Sequence, residues 1–293
     1  MRILSATDHS EASKQALGYL RKLPCCQSVD LSLVEVVQPM PLYDFSGAGD
    51  AIVIPDLISE QTEATEAMLA KTSEAITGEF QSVETHCSVG PPGAEIVRIA
   101  KEQEVELITL GAVGHSALAR VFLGSVSDYV ATHAESSVLV VRPPTADQPL
   151  KSPEKVLIAI GNAANDKELF QWVERLELPA TTEIHLVHVM ETLMFYRQDL
   201  LHRASEYWKE VRSAAAKHIE KLEPTLQGRG FTTQSALIEA AHIGERLIDY
   251  AKENDCQLII TGDSRDSFLD RLILGSTSRH VLRHAPQSVL IAR

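Results

Sequence analysis

Residues Ile108–Arg142 read ITLGAVGHSALARVFLGSVSDYVATHAESSVLVVR. The stretch opens inside an apolar run, residues 107–110, of the kind that forms a strand buried on both faces. Gly111 and Gly114 follow, then nine residues, then Gly124 and Ser125. A helical pattern runs from there to about His133, and a β-branched run, residues 138–141, closes the stretch. A glycine lets the backbone turn sharply and approach a bulky group. The first amides of a helix lack intrahelical partners and carry the positive end of its dipole. Strand, glycine loop and helix start in this order predict a cradle for phosphate on backbone amides. The Gly-Lys-Ser/Thr ending of a P-loop is missing, and the glycines stand further apart than in a dinucleotide fingerprint.

Working outward, apolar runs alternate with helical patterns through the first half. Residues 2–7 read as a strand and Ser10 to about Leu23 as a helix, with Ala12, Ala16, Leu17 and Leu20 on one face. Residues 29–37 form the next strand, and 38–55, rich in Pro and Gly, a long irregular loop. A helix over 58–80, a strand over 83–89, a turn at 90–93 and a helix over 94–103 complete the half. This alternation predicts a doubly wound, mostly parallel sheet.

The pattern then repeats. Val156 answers Ile3 at an offset of 153, and Leu258 answers Leu107 at 151, so almost no length has changed. Leu274-Gly275-Ser276 answers Leu123-Gly124-Ser125, and residues 284–293 answer 133–142. The chain is an internal duplication. It divides into domain 1 over 1–144, a proline-bearing linker over 145–154 and domain 2 over 155–293. A long helical stretch near 198–226 is the main elaboration of the second copy.

Length and composition fit this reading: 293 residues, 44% hydrophobic and 23% charged, suit two globular domains. A net charge of −13 argues against a nucleic-acid partner. No apolar run reaches the roughly 20 residues of a membrane helix, and the N-terminus enters a strand at once, so a cytoplasmic location is expected. Cys25, Cys26, Cys87 and Cys256 show no CxxC spacing and are expected to stay reduced. His185 and His188 point to opposite faces of a strand, as do His86 and Cys87, which makes poor metal pairs.

The spacing Gly-x2-Gly-x9-Gly-Ser, Asp8 at the end of the first strand, and the paired endings His133–Arg142 and His284–Arg293 resemble the universal stress protein family in tandem form, over essentially the whole chain. The resemblance implies two Rossmann-like domains, each a five-stranded parallel sheet in the order 3-2-1-4-5, packed as an intramolecular pseudo-dimer. It implies ATP, or ADP or AMP, with or without Mg2+, in the crevice where the strand order reverses. It also implies a regulatory role in stress response, exercised as a homodimer of tandem chains. Ala6, Thr7 and Asp8 end the first strand and would meet the ligand; Asp8 also suits a capping box with Glu11. Val36 would pack against adenine or serve as core. Gly111, Gly114, Gly124, Ser125 and Val126 would hold phosphate; His115 would touch it or face water, and Ser127 would donate a hydroxyl or sit exposed.

No lysine stands in the glycine cradle and no carboxylate pair beside it, so a nucleotide-binding regulator is expected rather than an enzyme. A slow ATPase or autophosphorylating activity is the alternative, and an assembly scaffold with a vestigial site is a third. The second copy has Gly161 where the first has Asp8, and Arg265 where it has Gly114. Asp263 and Asp266 flank that arginine and would repel phosphate, although Arg265 could itself reach one. One nucleotide per chain, in the first copy, is therefore expected.

Overall fold

A computed structural model describes residues 1–39, 42–43, 51–52, 55–112, 123–142, 151–161, 166–192, 198–263 and 274–293; in 42–43, 51–52, 55 and 198–206 the backbone alone is described. The chain divides into two compact units, Met1–Val141 and Arg142–Arg293.

The first unit runs β1 (Arg2–Ala6), α1 (Glu11–Leu20), β2 (Asp30–Val37), α2 (Pro55–Ala75), β3 (Ser82–Val89), α3 (Pro92–Glu102), β4 (Leu107–Gly111), α4 (Ser125–His133) and β5 (Ser137–Val141). All its main strands are parallel, in the order β3-β2-β1-β4-β5, which is the expected 3-2-1-4-5. β1 sits at the centre, with Ile3 opposite Leu31 on one side and Leu107 on the other. Leu4, Leu31, Leu33, Leu107 and Ile108 are almost fully buried. Helices cover both faces of such a sheet, so its central strands read as continuous apolar runs. β3, at one edge, has no fully buried residue and leaves Ser82, Glu84 and Thr85 exposed. Polar side chains there discourage edge-to-edge pairing.

The second unit repeats the plan: β6 (Lys155–Ala159), α5 (Asp166–Arg175), β7 (Glu183–Glu191), α6 (Gln198–Gln227), β8 (Thr232–Ala240), α7 (Ile243–Glu253), β9 (Leu258–Gly262), α8 (Ser276–His284) and β10 (Ser288–Ala292). Its order is β8-β7-β6-β9-β10. Trp172 on α5 is its largest fully buried side chain. Helix packing is duplicated too. A Cβ on Gly93 would lie 2.7 Å from Tyr129 Cδ1, and one on Gly244 would lie 2.9 Å from His280 Cδ2. In each copy glycine lets the two helices approach across one aromatic side chain.

Several expected boundaries move. α1 stops at Leu20, short of the expected Leu23, and a 3-10 turn, Pro24–Ser28, follows it. The 38–55 segment was expected to be irregular throughout, yet it holds a short antiparallel pair, Leu42 opposite Ile52 and Tyr43 opposite Ala51. Two-residue strands carry no periodicity for a sequence to show. Pro92 belongs to the first turn of α3 rather than to the preceding turn, a position where its missing N–H costs nothing.

His185 is buried on β7, with Nδ1 3.1 Å from the Tyr250 hydroxyl. Burial pushes its pKa below the usual 6.5; nearby Glu183 opposes that shift and Lys155 adds to it. The unfolded chain then binds the extra proton more readily than the native one. His185 therefore contributes stability that is present above about pH 6.5 and lost as pH falls below it. Thermal melts are expected to show a midpoint falling from pH 7 to pH 5, with a shallower fall in His185→Phe. Parallel pH profiles for the two proteins would contradict this.

Candidate functional site

At the carboxyl end of β1 the chain turns out of the sheet through Thr7, Asp8 and His9. His9 is left-handed, at φ 56°, and its backbone N–H donates to Thr7 Oγ1 at 3.1 Å. His9 Nε2 lies 2.7 Å from Glu35 Oε2 on β2, both side chains being mostly buried. Asp8 is not the helix cap that its spacing to Glu11 suggested. Its Oδ1 accepts the N–H of Ser10 at 3.0 Å, and Ser10 is the N-cap, accepting from the Ser13 N–H at 3.3 Å. The Asp8 residue stays exposed at the mouth of a crevice. Ser10 was the better cap because its hydroxyl is shorter and one helical turn from Ser13.

β4 forms the other side. A Cβ on Gly111 would sit 2.6 Å from the Ala12 carbonyl carbon, so glycine is needed where α1 crosses β4. The N-cap of α4 is Gly124, not a serine; it offers no side chain, and its N–H donates to the Ala112 carbonyl at 2.7 Å. The first intrahelical bond comes from Asp128 N–H to Gly124 O. The amides of Ser125, Val126 and Ser127 thus lead a helix with no side-chain cap, the arrangement that suits an anion. Ser127 is buried rather than exposed. Its buried hydroxyl donates to the Gly111 carbonyl at 2.7 Å, latching the start of α4 to the end of β4.

These pieces line one crevice of about 350 Å³, between β1 and β4 where the strand order reverses. Ala6, Thr7, Asp8, Val36, Gly111, Gly124, Ser125, Val126 and Ser127 all line it. Gly114 and His115 lie outside the described residues. Sequence reasoning missed Ser10, Ser13, Gln38, Pro92 and Ile96, which also line the crevice. The Ser10-x-x-Ser13 spacing was a usable signal; Pro92 and Ile96 arrive from a helix distant in sequence and gave none.

The second unit has a counterpart of about 240 Å³ at the ends of β6 and β9. The latch recurs there, Ser278 Oγ donating to the Gly262 carbonyl at 2.6 Å, and α8 starts on Gly275, again with no side-chain cap. Two expectations fail in this unit. Gly161 leaves no carboxylate at the position of Asp8, yet Asp166, at the repeat position of Ser13, lines the crevice. It is buried, accepts the Gly161 N–H through Oδ1 at 3.4 Å, and pairs through Oδ2 with His218 of α6. Asp263 does not face the site as an unbalanced charge: its Oδ2 is 2.9 Å from Arg293 Nε, both side chains almost fully buried. Arg265 and Asp266 lie outside the described residues. Elsewhere, all four cysteines are free, and burial pushes the Cys256 thiol up to about 12, which keeps it protonated and unreactive.

The model of the universal stress protein family matches the chain twice, over residues 1–142 and 153–293. The chain belongs to the universal stress protein family. Each half resembles a whole single-domain member. Universal stress protein Sll1388 of Synechocystis sp. is 32% identical over 149 residues, 48% of this chain and 97% of that protein. Universal stress protein MJ0531 of Methanocaldococcus jannaschii is 27% identical over 143 residues, 49% of this chain and 82% of that protein. Among solved structures, a universal stress protein from Archaeoglobus fulgidus DSM 4304 covers 100% of this chain and 96% of its own, with a TM-score of 0.69 at 20% identity. Protein PA1789 of Pseudomonas aeruginosa PAO1, described as functionally unknown, covers 99% and 92% with a TM-score of 0.64 at 14% identity. At such identities the likeness is one of fold. Among the described residues of this universal stress protein, no helix is long and apolar enough to cross a membrane.

Proposed function

We propose that the first unit binds an adenine nucleotide and that the chain acts as a nucleotide-responsive regulator. The observation that carries this reading is the crevice at the strand-order reversal, with the uncapped start of α4 on one side and Asp8 on the other. These two features have opposite polarity. Phosphates belong on the amides of Ser125, Val126 and Ser127, away from the Asp8 carboxylate that would repel them. Base and ribose then fill the apolar end, between Val36 and Ile96. A carboxylate only accepts hydrogen bonds, so Asp8 favours the exocyclic amine of adenine over the keto oxygen of inosine or guanine. The Gly-x2-Gly-x9-Gly-Ser spacing supports the same reading. Any Mg2+ would come with the phosphates.

Calorimetry on the full chain tests this. ATP is expected to bind, with ITP weaker. Gly124→Val, which puts a branched side chain beside the leading amides, is expected to weaken ATP by about tenfold or more, the worth of one or two charge-assisted hydrogen bonds. Unchanged ATP affinity in a folded Gly124→Val protein would sink the phosphate assignment. The enzymatic alternative predicts sustained phosphate release from ATP by the pure protein, and the regulatory reading predicts none beyond background.

A further inference from the structure

We propose that His280 and His284, on the exposed face of α8, form a binding site for a borderline divalent transition cation such as Cu2+, Ni2+ or Zn2+. The site stands apart from the second unit's crevice, which α8 meets through Thr277 and Ser278 and which neither histidine lines. Nothing in it depends on the nucleotide reading of the first unit.

The two histidines are four residues apart in one helix, so their side chains lie on one face, a turn apart. Both are exposed, with ring centroids 4.5 Å apart and planes tilted by 41°. The first copy shows what has changed. At an offset of 151 the same two positions hold Tyr129 and His133. There the rings stack at 4.0 Å and 19°, and His133 Nδ1 donates to the Tyr129 carbonyl at 2.8 Å. That pair is closed: a phenol ring covers the imidazole, and one nitrogen is committed to backbone. In the second copy an imidazole replaces the phenol and the planes open. Among the described residues, no ring nitrogen of either histidine has a hydrogen-bond partner. Neutral imidazole nitrogen is the commonest protein ligand of such metals, and two on neighbouring turns can chelate one ion.

The His280 ring is also held in place. It rests on Gly244 of α7, where a Cβ would come within 2.9 Å of its Cδ2. A ligand already ordered lowers the entropic cost of binding. Burial against α7 and the nearness of His284 hold its pKa below the usual 6.5; Glu245 opposes that shift and His242 adds to it. The neutral ring that a metal requires therefore prevails at pH 7. His242 and Glu245, at the start of α7, bring a further imidazole and a carboxylate to the neighbourhood, where the first copy has Pro91 and Ala94. Among the described residues, no group of three or more His, Cys, Asp or Glu side chains is placed to hold a metal. The protein thus supplies two nitrogens and water completes the shell. Imidazole suits Cu2+, Ni2+ and Zn2+, whereas Mg2+ and Ca2+ take oxygen.

The test is titration of the tag-free, nucleotide-free full chain with Zn2+ by calorimetry and with Cu2+ by electron paramagnetic resonance. One cation per chain is expected to bind ahead of any other, and its Cu2+ spectrum to carry hyperfine structure from two nitrogens. His284→Gln should weaken that cation by about tenfold or more, at least the cost of disturbing an outer partner of a metal ligand. His280→Tyr restores the residue of the first copy, so the helix keeps a side chain known to fit there, and it should remove the two-nitrogen signature. His133→Gln, at the counterpart position of the first copy, should change nothing, and excess Mg2+ should not displace Zn2+. Melts without metal establish that each variant is folded. Unchanged Zn2+ affinity in folded His284→Gln or His280→Tyr overturns the proposal. So does an equal loss in His133→Gln, or displacement of Zn2+ by Mg2+.

Discussion

Gly111→Ala is expected to destabilise the first unit by about 3 kcal/mol, at the upper end of what overpacking a core costs. The new Cβ would stand 2.6 Å from the carbonyl carbon and 2.7 Å from the carbonyl oxygen of Ala12. Both are backbone atoms at the start of α1, so no rotamer change relieves the clash. Either α1 lifts off β4 or the end of β4 is displaced. Both outcomes also disturb the crevice, because α1 follows the Asp8 turn and Gly111 holds the Ser127 latch. Scanning calorimetry is expected to show the unit's transition lowered by roughly 10 °C, with ATP affinity lost in parallel. A transition within a degree of wild type would show that the two elements yield more easily than their geometry suggests.

The second large effect lies in the other unit. Asp263→Ala is expected to cost about 3–5 kcal/mol, since it removes one partner of a buried ion pair. Replacing both partners, as Asp263→Ala with Arg293→Met, should recover much of that loss, because no buried charge then remains uncompensated. Trp172 and Trp208 are the only tryptophans of the chain, and both belong to this unit. Denaturant unfolding followed by their fluorescence therefore reports on it directly. A double variant no more stable than Asp263→Ala would mean that Asp263 matters for something other than its charge.

The sheet was legible in the sequence because a parallel strand buried on both faces has to be an apolar run, and Ile3–Ala6, Leu107–Leu110 and Leu258–Ile260 are such runs. The side of the crevice built from consecutive residues was legible as well, in Asp8 and in Gly124-Ser125. Orientation was less so. Ser127 sits in the right turn, yet nothing local says that its hydroxyl points back to Gly111. Pairs formed across the fold left no trace. Asp166 and His218 are 52 residues apart, and Asp263 and Arg293 are 30 apart. Each member alone looks like an ordinary surface charge until topology brings it to its partner. That is why Gly161 looked like the loss of a carboxylate, when a carboxylate had entered the same crevice from another direction.

The latch between the start of α4 and the end of β4, matched by Ser278 and Gly262, bears on how such a chain can diverge. Its hydroxyl is committed to backbone, so this wall keeps its shape whatever occupies the opposite wall. Drift at Asp8, Ser13 and Glu35 is then uncoupled from the integrity of the sheet. The second copy records that freedom, with Gly161, Asp166 and His188 at those positions and the latch intact. A gene carrying two such copies can keep one ligand preference while trying another.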